Sequence, residues 1–347
     1  MSQGRTAKQM MRTMTALLLM AMLAVGLLGC GDKQQDPKGM SDPAKVQDEK
    51  GKENQADGDK KPDSGDKSDD GKAKAGQTEY PMKVTDASGT ELTFDKAPER
   101  IASLAPSETE TLFAIGAGDQ VVGVDQWSNY PEEAAAKPKI GSLETNLEAL
   151  LATEPDLVVA ASSNKKVIDK IREMNVPVYF SAPKTLDEVI EKIETMGLIM
   201  NKQEEAKKVA EQMKADRQKV VDAVKDAPAK KVYMEFSPGW TVGEGEFMDE
   251  LVKLAGGTNI AAGEKGWFPI DPEKIIQANP EVILYAEGGG MESILEEIKK
   301  RPGWDQIDAV KNGALYPIDK DIISRVGPRL TEALLEAAKA IHPDLVK

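Results

Sequence analysis

The sequence predicts an α/β protein: two lobes with mainly parallel sheets, joined by a single long helix. Three observations carry this. From Gln203 to Ala227 the residues Ala206, Val209, Ala210, Met213, Val220, Val221 and Val224 recur at helical steps, with no Gly or Pro between them and Pro228 closing the run. On each side lies a segment of similar length in which strand and helix signals alternate, the grammar of a parallel sheet covered on both faces. Finally, Asn146–Ala160 lines up without a gap on Asp271–Tyr285. Each copy has an N-cap residue, a Glu in the first turn, a Pro and then a strand, so the lobes read as relatives facing each other with pseudo-twofold symmetry. The expected organisation is a signal segment over 1–30, a charged tether over 31–79, lobes over 80–200 and 228–347, and a connecting helix over 201–227. At 1.5 Å per residue that helix reaches roughly 35 to 40 Å. A cleft between the lobes is the expected seat of function.

In chain order, Arg5, Lys8 and Arg12 give a basic start, and Ala16 to Leu28 is almost wholly apolar but too short to span a bilayer comfortably. The run ends in Leu27-Leu28-Gly29-Cys30, which resembles the lipobox of bacterial lipoproteins, although Leu28 is a less usual residue at its place. On that resemblance Cys30 is the acylated first residue of the mature chain. An ordinary secretory signal with an incidental Cys30 is the other reading. From Gly31 to Glu79 there is no aromatic, Leu or Ile, so no core can form, and a flexible coil with an end-to-end distance of about 40 Å is expected.

The first lobe opens with a hairpin over Tyr80–Phe94, turning at Ser88-Gly89. Strands follow at Arg100–Leu104, Val121–Val124, Asp156–Ala160 and Val178–Phe180. Helices are expected at Glu108–Ile115, stopped by Gly116, at Asn146–Ala152 and near Lys165–Met174. Thr185 with Glu188 makes a capping box for a further helix. Beyond the long helix come strands at Lys231–Phe236, Ile283–Tyr285 and Ala314–Ile318, with helices at Phe247–Ala255, Met291–Lys300 and Pro328–Ile341. Gly256-Gly257 reads as a helix stop, and Gly288-Gly289-Gly290 as a flexible turn, because it lacks the Lys and hydroxyl of a phosphate loop.

Composition excludes several function classes. With 40% apolar residues the chain is globular, and its single Cys and single His rule out an intramolecular disulfide and a cysteine or histidine metal cluster, and leave only His342 for any nucleophile–His pair. Of 45 basic and 59 acidic residues, 13 of each precede Tyr80, leaving 32 and 46 for the lobes. Nucleic acid is not an expected partner of so acidic a surface. Glu108 and Glu110 can be offered as an acid and a base, but they are two residues apart at a helix start without a third group to orient them.

Several stretches together resemble the cobalamin and iron-siderophore binding proteins of ABC importers. They are Arg100 to Glu110 with Ser103-Leu104-Ala105-Pro106-Ser107, the Val121–Val124 strand running on to Asn129-Tyr130-Pro131, Asn146-Leu147-Glu148, and Gly327-Pro328-Arg329-Leu330. The similarity covers most of residues 80–347 and is closest to the cobalamin binders. It implies two Rossmann-like lobes joined by one helix, little hinge motion, a ligand held in the cleft and no catalysis. It also implies a monomeric, lipid-anchored protein on the extracytoplasmic face of the membrane, delivering to an ABC permease dimer with its ATPase.

Glu148 and Glu273 match the two glutamates that dock with permease arginines in that family, and the internal repeat pairs them independently. Read from pattern alone, each offsets the positive end of its own helix. Trp127, Trp240 and Trp267 follow strands or enter a helix at the cleft and can give broad apolar contact to a large planar ligand. Each can equally cover the edge of its own lobe's core. The resemblance puts these three at positions that are aromatic in cobalamin binders and matches Asp321 to a polar contact there. Where that group can carry further Trp residues, this chain has Ser142 and Ala161. Arg325 offers a bidentate grip for an anionic siderophore; alternatively Arg325 and Arg329 cap or pair near the start of the last helix.

Overall fold

The computed structural model describes residues 76–142, 144–288 and 293–347, and these belong to one compact unit. Cys30, the expected signal segment and the tether up to residue 75 lie outside the described residues, as does Met291. Thr78, assigned to the tether, is held at the protein surface: its amide donates to Asn201 Oδ1 at 2.8 Å and its hydroxyl to the Leu198 carbonyl at 2.7 Å.

The hairpin forms from β1 (Met82–Thr85) and β2 (Glu91–Phe94), antiparallel with Met82 opposite Phe94. The first lobe continues with β3 (Ile101–Ser103), α1 (Pro106–Ala114), β4 (Val121–Val124), a short α2 (Glu132–Ala135), α3 (Leu147–Ala152), β5 (Leu157–Ala160), α4 (Lys165–Glu173), β6 (Val178–Phe180) and α5 (Leu186–Ile199). The long helix α6 (Gln203–Val224) covers about 33 Å. The second lobe holds β7 (Lys230–Glu235), β8 (Trp240–Val242), α7 (Phe247–Leu254), β9 (Gly257–Asn259), β10 (Trp267–Pro269), α8 (Pro272–Ala278), β11 (Val282–Glu287), α9 (Ile294–Lys300), α10 (Asp308–Lys311), β12 (Leu315–Asp319), α11 (Lys320–Ser324) and α12 (Leu330–Ile341).

Two separate four-stranded sheets result, both wholly parallel. Their orders, β4-β3-β5-β6 and β9-β7-β11-β12, are the same topology: in chain order the first strand of each sheet lies between its second and its third. Strand residues alternate between two buried faces. Ile101, Leu157 and Val159 enter the main core, while Ala102, Val158 and Ala160 enter a second cluster with Leu150, Ile168 and Ile171.

The internal repeat is also a repeat of hydrogen bonds. Asn146 Oδ1 accepts from Ala149 N, and Asp271 Oδ1 from the equivalent Lys274 N. The aligned Glu154 and Asn279 both adopt φ 47°. Asp156 accepts the Arg100 amide at 2.9 Å, and its counterpart Glu281 accepts the Lys231 amide at 2.9 Å. The same local physics is thus used twice, once to start each third strand.

The long helix does more than hold the lobes apart. It packs on α5 and α1 of the first lobe and on α12 and α7 of the second, and its Ala206, Ala210, Met213, Val220 and Val224 join one core that runs through both lobes. At Thr185 half of the expected box forms. Glu188 N donates to Thr185 Oγ1 at 3.1 Å, but the Glu188 carboxylate accepts from Lys184 N instead of the cap amide. Gly257 is a strand residue, not a helix stop. A Cβ there would lie 2.7 Å from Val232 Cγ2 and 3.0 Å from Val252 Cγ1, so only glycine lets β9 close against β7 and α7.

Candidate ligand cleft

Ligands of open α/β sheets sit beyond the carboxyl ends of the strands, and the residues of interest leave the sheets there. In the first lobe β4 runs out into Asp125, whose buried carboxylate accepts the Trp127 amide at 2.8 Å and the Ser128 hydroxyl. Burial pushes the Asp125 pKa up, against the lowering effect of the hydrogen bonds from Ser128 and the Trp127 amide. This tight turn projects Trp127, which is 57% exposed.

In the second lobe β7 turns at Gly239 into β8. Strands β8 and β10 pair antiparallel with Trp240 opposite Pro269 and Val242 opposite Trp267, a register that puts both tryptophans on one face of the ribbon. Trp267 stands edge-on to Phe236, with ring centroids 5.2 Å apart, and is tilted against Phe247. Trp240 has no ring partner among the described residues and is 45% exposed. Sequence reasoning put Trp240 after a strand and Trp267 in the loop entering the next helix, and saw neither short strand. Three-residue strands are too short to show an alternation.

The lobes meet along a polar seam that reaches the Trp127 loop. Glu110 of α1 accepts from Arg325 Nη1 at 2.7 Å and from Arg329 Nε and Nη2 at 3.0 and 2.6 Å. Arg325 also pairs with Asp321 at 2.8 Å and donates to the Trp127 carbonyl at 3.3 Å. Lys192 of α5 donates to Glu108 at 3.0 Å and to the Val326 carbonyl at 2.7 Å, while Asn129 Nδ2 donates to Asp321 Oδ2 at 3.3 Å. The Arg329 guanidinium lies over the Tyr130 ring, 4.1 Å from its centroid.

These contacts revise two readings. Arg325, with a side chain only 6% exposed, is committed to Glu110, Asp321 and Trp127, so its fork is not free to grip a ligand carboxylate. Pairing near the last helix is what it does. Glu108 and Glu110, weighed as an acid and base, are buried partners of cations from other elements.

The structure therefore brings Trp240 and Trp267 onto one ribbon and ties the Trp127 loop to the Asp321–Arg329 segment. A hollow of about 610 Å³ opens elsewhere on the seam, lined by Phe113, Tyr130, Lys137, Pro328 and Arg329, and none of the three tryptophans lines it. Asn129 and Tyr130 were quoted only within a motif, Arg329 pairs as one of its sequence readings had it, and Glu235 and Arg301 of the second lobe carried no mark in the sequence. Ser142 is half-buried and Ala161 buried. Glu148 and Glu273 are both exposed, in the first turns of α3 and α8, and neither forms an ion pair among the described residues.

Two parallel-sheet lobes of one topology, packed on a shared helix and locked by ion pairs, with half-exposed indoles at the strand ends, define a solute-binding protein. Residues 101–322 match the model of the periplasmic binding protein family, and the chain belongs to that family. It is similar to the uncharacterized ABC transporter substrate-binding lipoprotein YvrC of Bacillus subtilis, at 33% identity over 80% of this chain and 91% of that one. The vitamin B12-binding protein of Vibrio cholerae is 30% identical over 68% of this chain and 86% of its own length.

Among solved structures, a possible iron-binding periplasmic solute-binding protein from Staphylococcus epidermidis superposes with TM-score 0.64 at 31% identity, covering 71% of this chain and 100% of that one. The periplasmic haem-binding protein RhuT from Roseiflexus superposes with TM-score 0.64 at 27% identity, covering 71% and 98%. Members of this family bind solutes and do not transform them.

Proposed function

We propose that this protein is the extracytoplasmic substrate-binding lipoprotein of an ABC importer, that it captures cobalamin or another corrinoid, and that it hands this ligand to the membrane permease. The importer class is supported by the family and by the YvrC likeness. The corrinoid reading is carried by one observation above the others: three indoles are between 39% and 57% exposed, Trp127 and Trp240 following the carboxyl ends of β4 and β7 and Trp267 sharing a ribbon with Trp240. Indoles supply wide apolar contact to a large planar ring at low entropic cost. In this reading Trp127, Trp240 and Trp267 form the walls and Asp321 the polar contact, with Arg325 behind them. The likeness to a B12-binding protein agrees with it.

An iron-siderophore or haem ligand is the second reading, favoured by the likeness to iron- and haem-binding structures. Against an anionic siderophore stands the commitment of Arg325 to Glu110. Glu148 and Glu273 are taken as the permease-docking pair. Both are exposed and unpaired among the described residues, and a charge-complementary contact needs carboxylates in that state. Cys30 is the site of lipidation in this reading. The deciding experiment is a titration of tryptophan emission with cyanocobalamin, a ferric hydroxamate siderophore and haemin in parallel. Quenching by cyanocobalamin at micromolar concentration is expected, whereas quenching by only one of the others transfers the assignment to that ligand.

A further inference from the structure

A buried charge pair is bonded to the turn that leads into Trp240. Glu235, the last residue of β7, is fully buried. Its Oε2 accepts from Arg301 Nη1 at 2.5 Å and from the Tyr233 hydroxyl at 3.0 Å. Its Oε1 accepts from Arg301 Nη2 at 2.5 Å and from the Gly239 amide at 2.8 Å. Arg301, which follows α9, rests 4.6 Å from the Trp304 ring centroid, and Tyr233 meets the same indole edge-on. Burial and the Glu235 charge push the Tyr233 pKa up, which keeps its hydroxyl a donor.

Burying an ion pair rarely improves on apolar residues of the same volume, so a pair placed this deep calls for a reason other than stability. Among the described residues two side-chain bonds leave the cluster: Arg301 Nη2 also donates to Glu297 Oε2 of α9 at 3.4 Å, and Glu235 accepts from the amide of Gly239, whose φ of 74° makes the turn into Trp240. The Gly239 carbonyl accepts the Ile270 amide at 2.8 Å, and the Trp240 amide donates to Ser237 O at 2.8 Å. Trp267 is wedged by two phenyl rings, but Trp240 depends on its backbone for direction. We infer that the Arg301–Glu235 pair is a positioning device, fixing Trp240 at the ligand through the Gly239 amide. The inference rests on Trp240 being a ligand wall.

The test uses the full chain labelled with 5-fluorotryptophan and the double variant Glu235→Leu with Arg301→Met, which removes both charges together. The fluorine resonance of Trp240, identified by its loss in Trp240→Phe, should shift or broaden while those of Trp127 and Trp267 stay. Affinity for whichever of cyanocobalamin, ferric hydroxamate or haemin binds the parent should fall about tenfold. Trp240→Ala should cost as much, with no further loss when combined with the double variant, since both remove the same contact. An unmoved Trp240 resonance, or losses that add, overturns the inference. Trp240→Ala without loss of affinity overturns instead the ligand reading of that residue, and the fluorine spectrum still judges the pair. Should the double variant not fold, Arg301→Lys, which keeps a charge but not the bidentate grip, is read by the same criteria.

Discussion

Replacing Glu110 by Gln tests how firmly the two lobes are joined. The carboxylate, 2% exposed, receives three hydrogen bonds from two guanidinium groups of the opposite lobe. Gln keeps the shape, but it turns one acceptor into an NH₂ aimed at a cation, takes from Arg329 its ion-pair partner and leaves Arg325 only Asp321 among the described residues. Removing one partner of a buried pair costs about 3–5 kcal/mol, and because Arg329 keeps 17% exposure the lower end applies, about 3 kcal/mol. For a domain of this size that is roughly a 6–12 °C fall in Tm. Urea unfolding followed by circular dichroism measures it, with Lys83→Ala as control. The Lys83–Glu91 pair is 64% and 57% exposed and should be worth less than about 1 kcal/mol. A Glu110→Gln loss no larger than the control's would mean that the seam is solvated, and the argument for locked lobes would fail.

Gly243→Ala should dislodge the β8–β10 ribbon, because its Cβ would fall 2.0 Å from the Glu264 carbonyl oxygen, which is backbone and cannot swing away. Altered near-ultraviolet circular dichroism from Trp267 is the readout, and an unchanged spectrum would contradict the packing. Trp127→Ala removes an indole that is 57% exposed, about 140 Å² of a ~250 Å² side chain. With half of that covered by ligand the loss is about 1.8 kcal/mol, or some twentyfold in Kd by titration calorimetry.

Because burial raises the Asp125 pKa, the folded protein holds that proton more tightly than the unfolded chain. This group therefore adds stability below the ordinary carboxylate pKa and loses it as pH rises through the folded value. Asp125→Asn should remove that slope from urea midpoints measured across the acid range. Glu148→Ala combined with Glu273→Ala should leave ligand affinity intact and weaken permease association in a pull-down. Retained association would exclude the pair.

The repeat was legible because it is local. An N-cap, a first-turn Glu, a left-handed stop and a Pro before a strand are all decided within a short stretch of chain, and both copies fold alike. The long helix was legible for the same reason, although it ends at Val224, before the expected Ala227. The ribbon carrying Trp240 and Trp267 was not, because its strands are three residues long and owe their pairing to partners elsewhere in the chain. Gly257 looked like punctuation because a glycine required by a close neighbour is spelled the same way as one required by a turn.

From sequence alone came the class, two related α/β lobes on one helix, since hydrophobic period and capping chemistry act between near neighbours. The role of Arg325 came only from the folded chain. Its partner Glu110 lies 215 residues away, and no local pattern records which carboxylate a guanidinium will meet once two lobes close on each other.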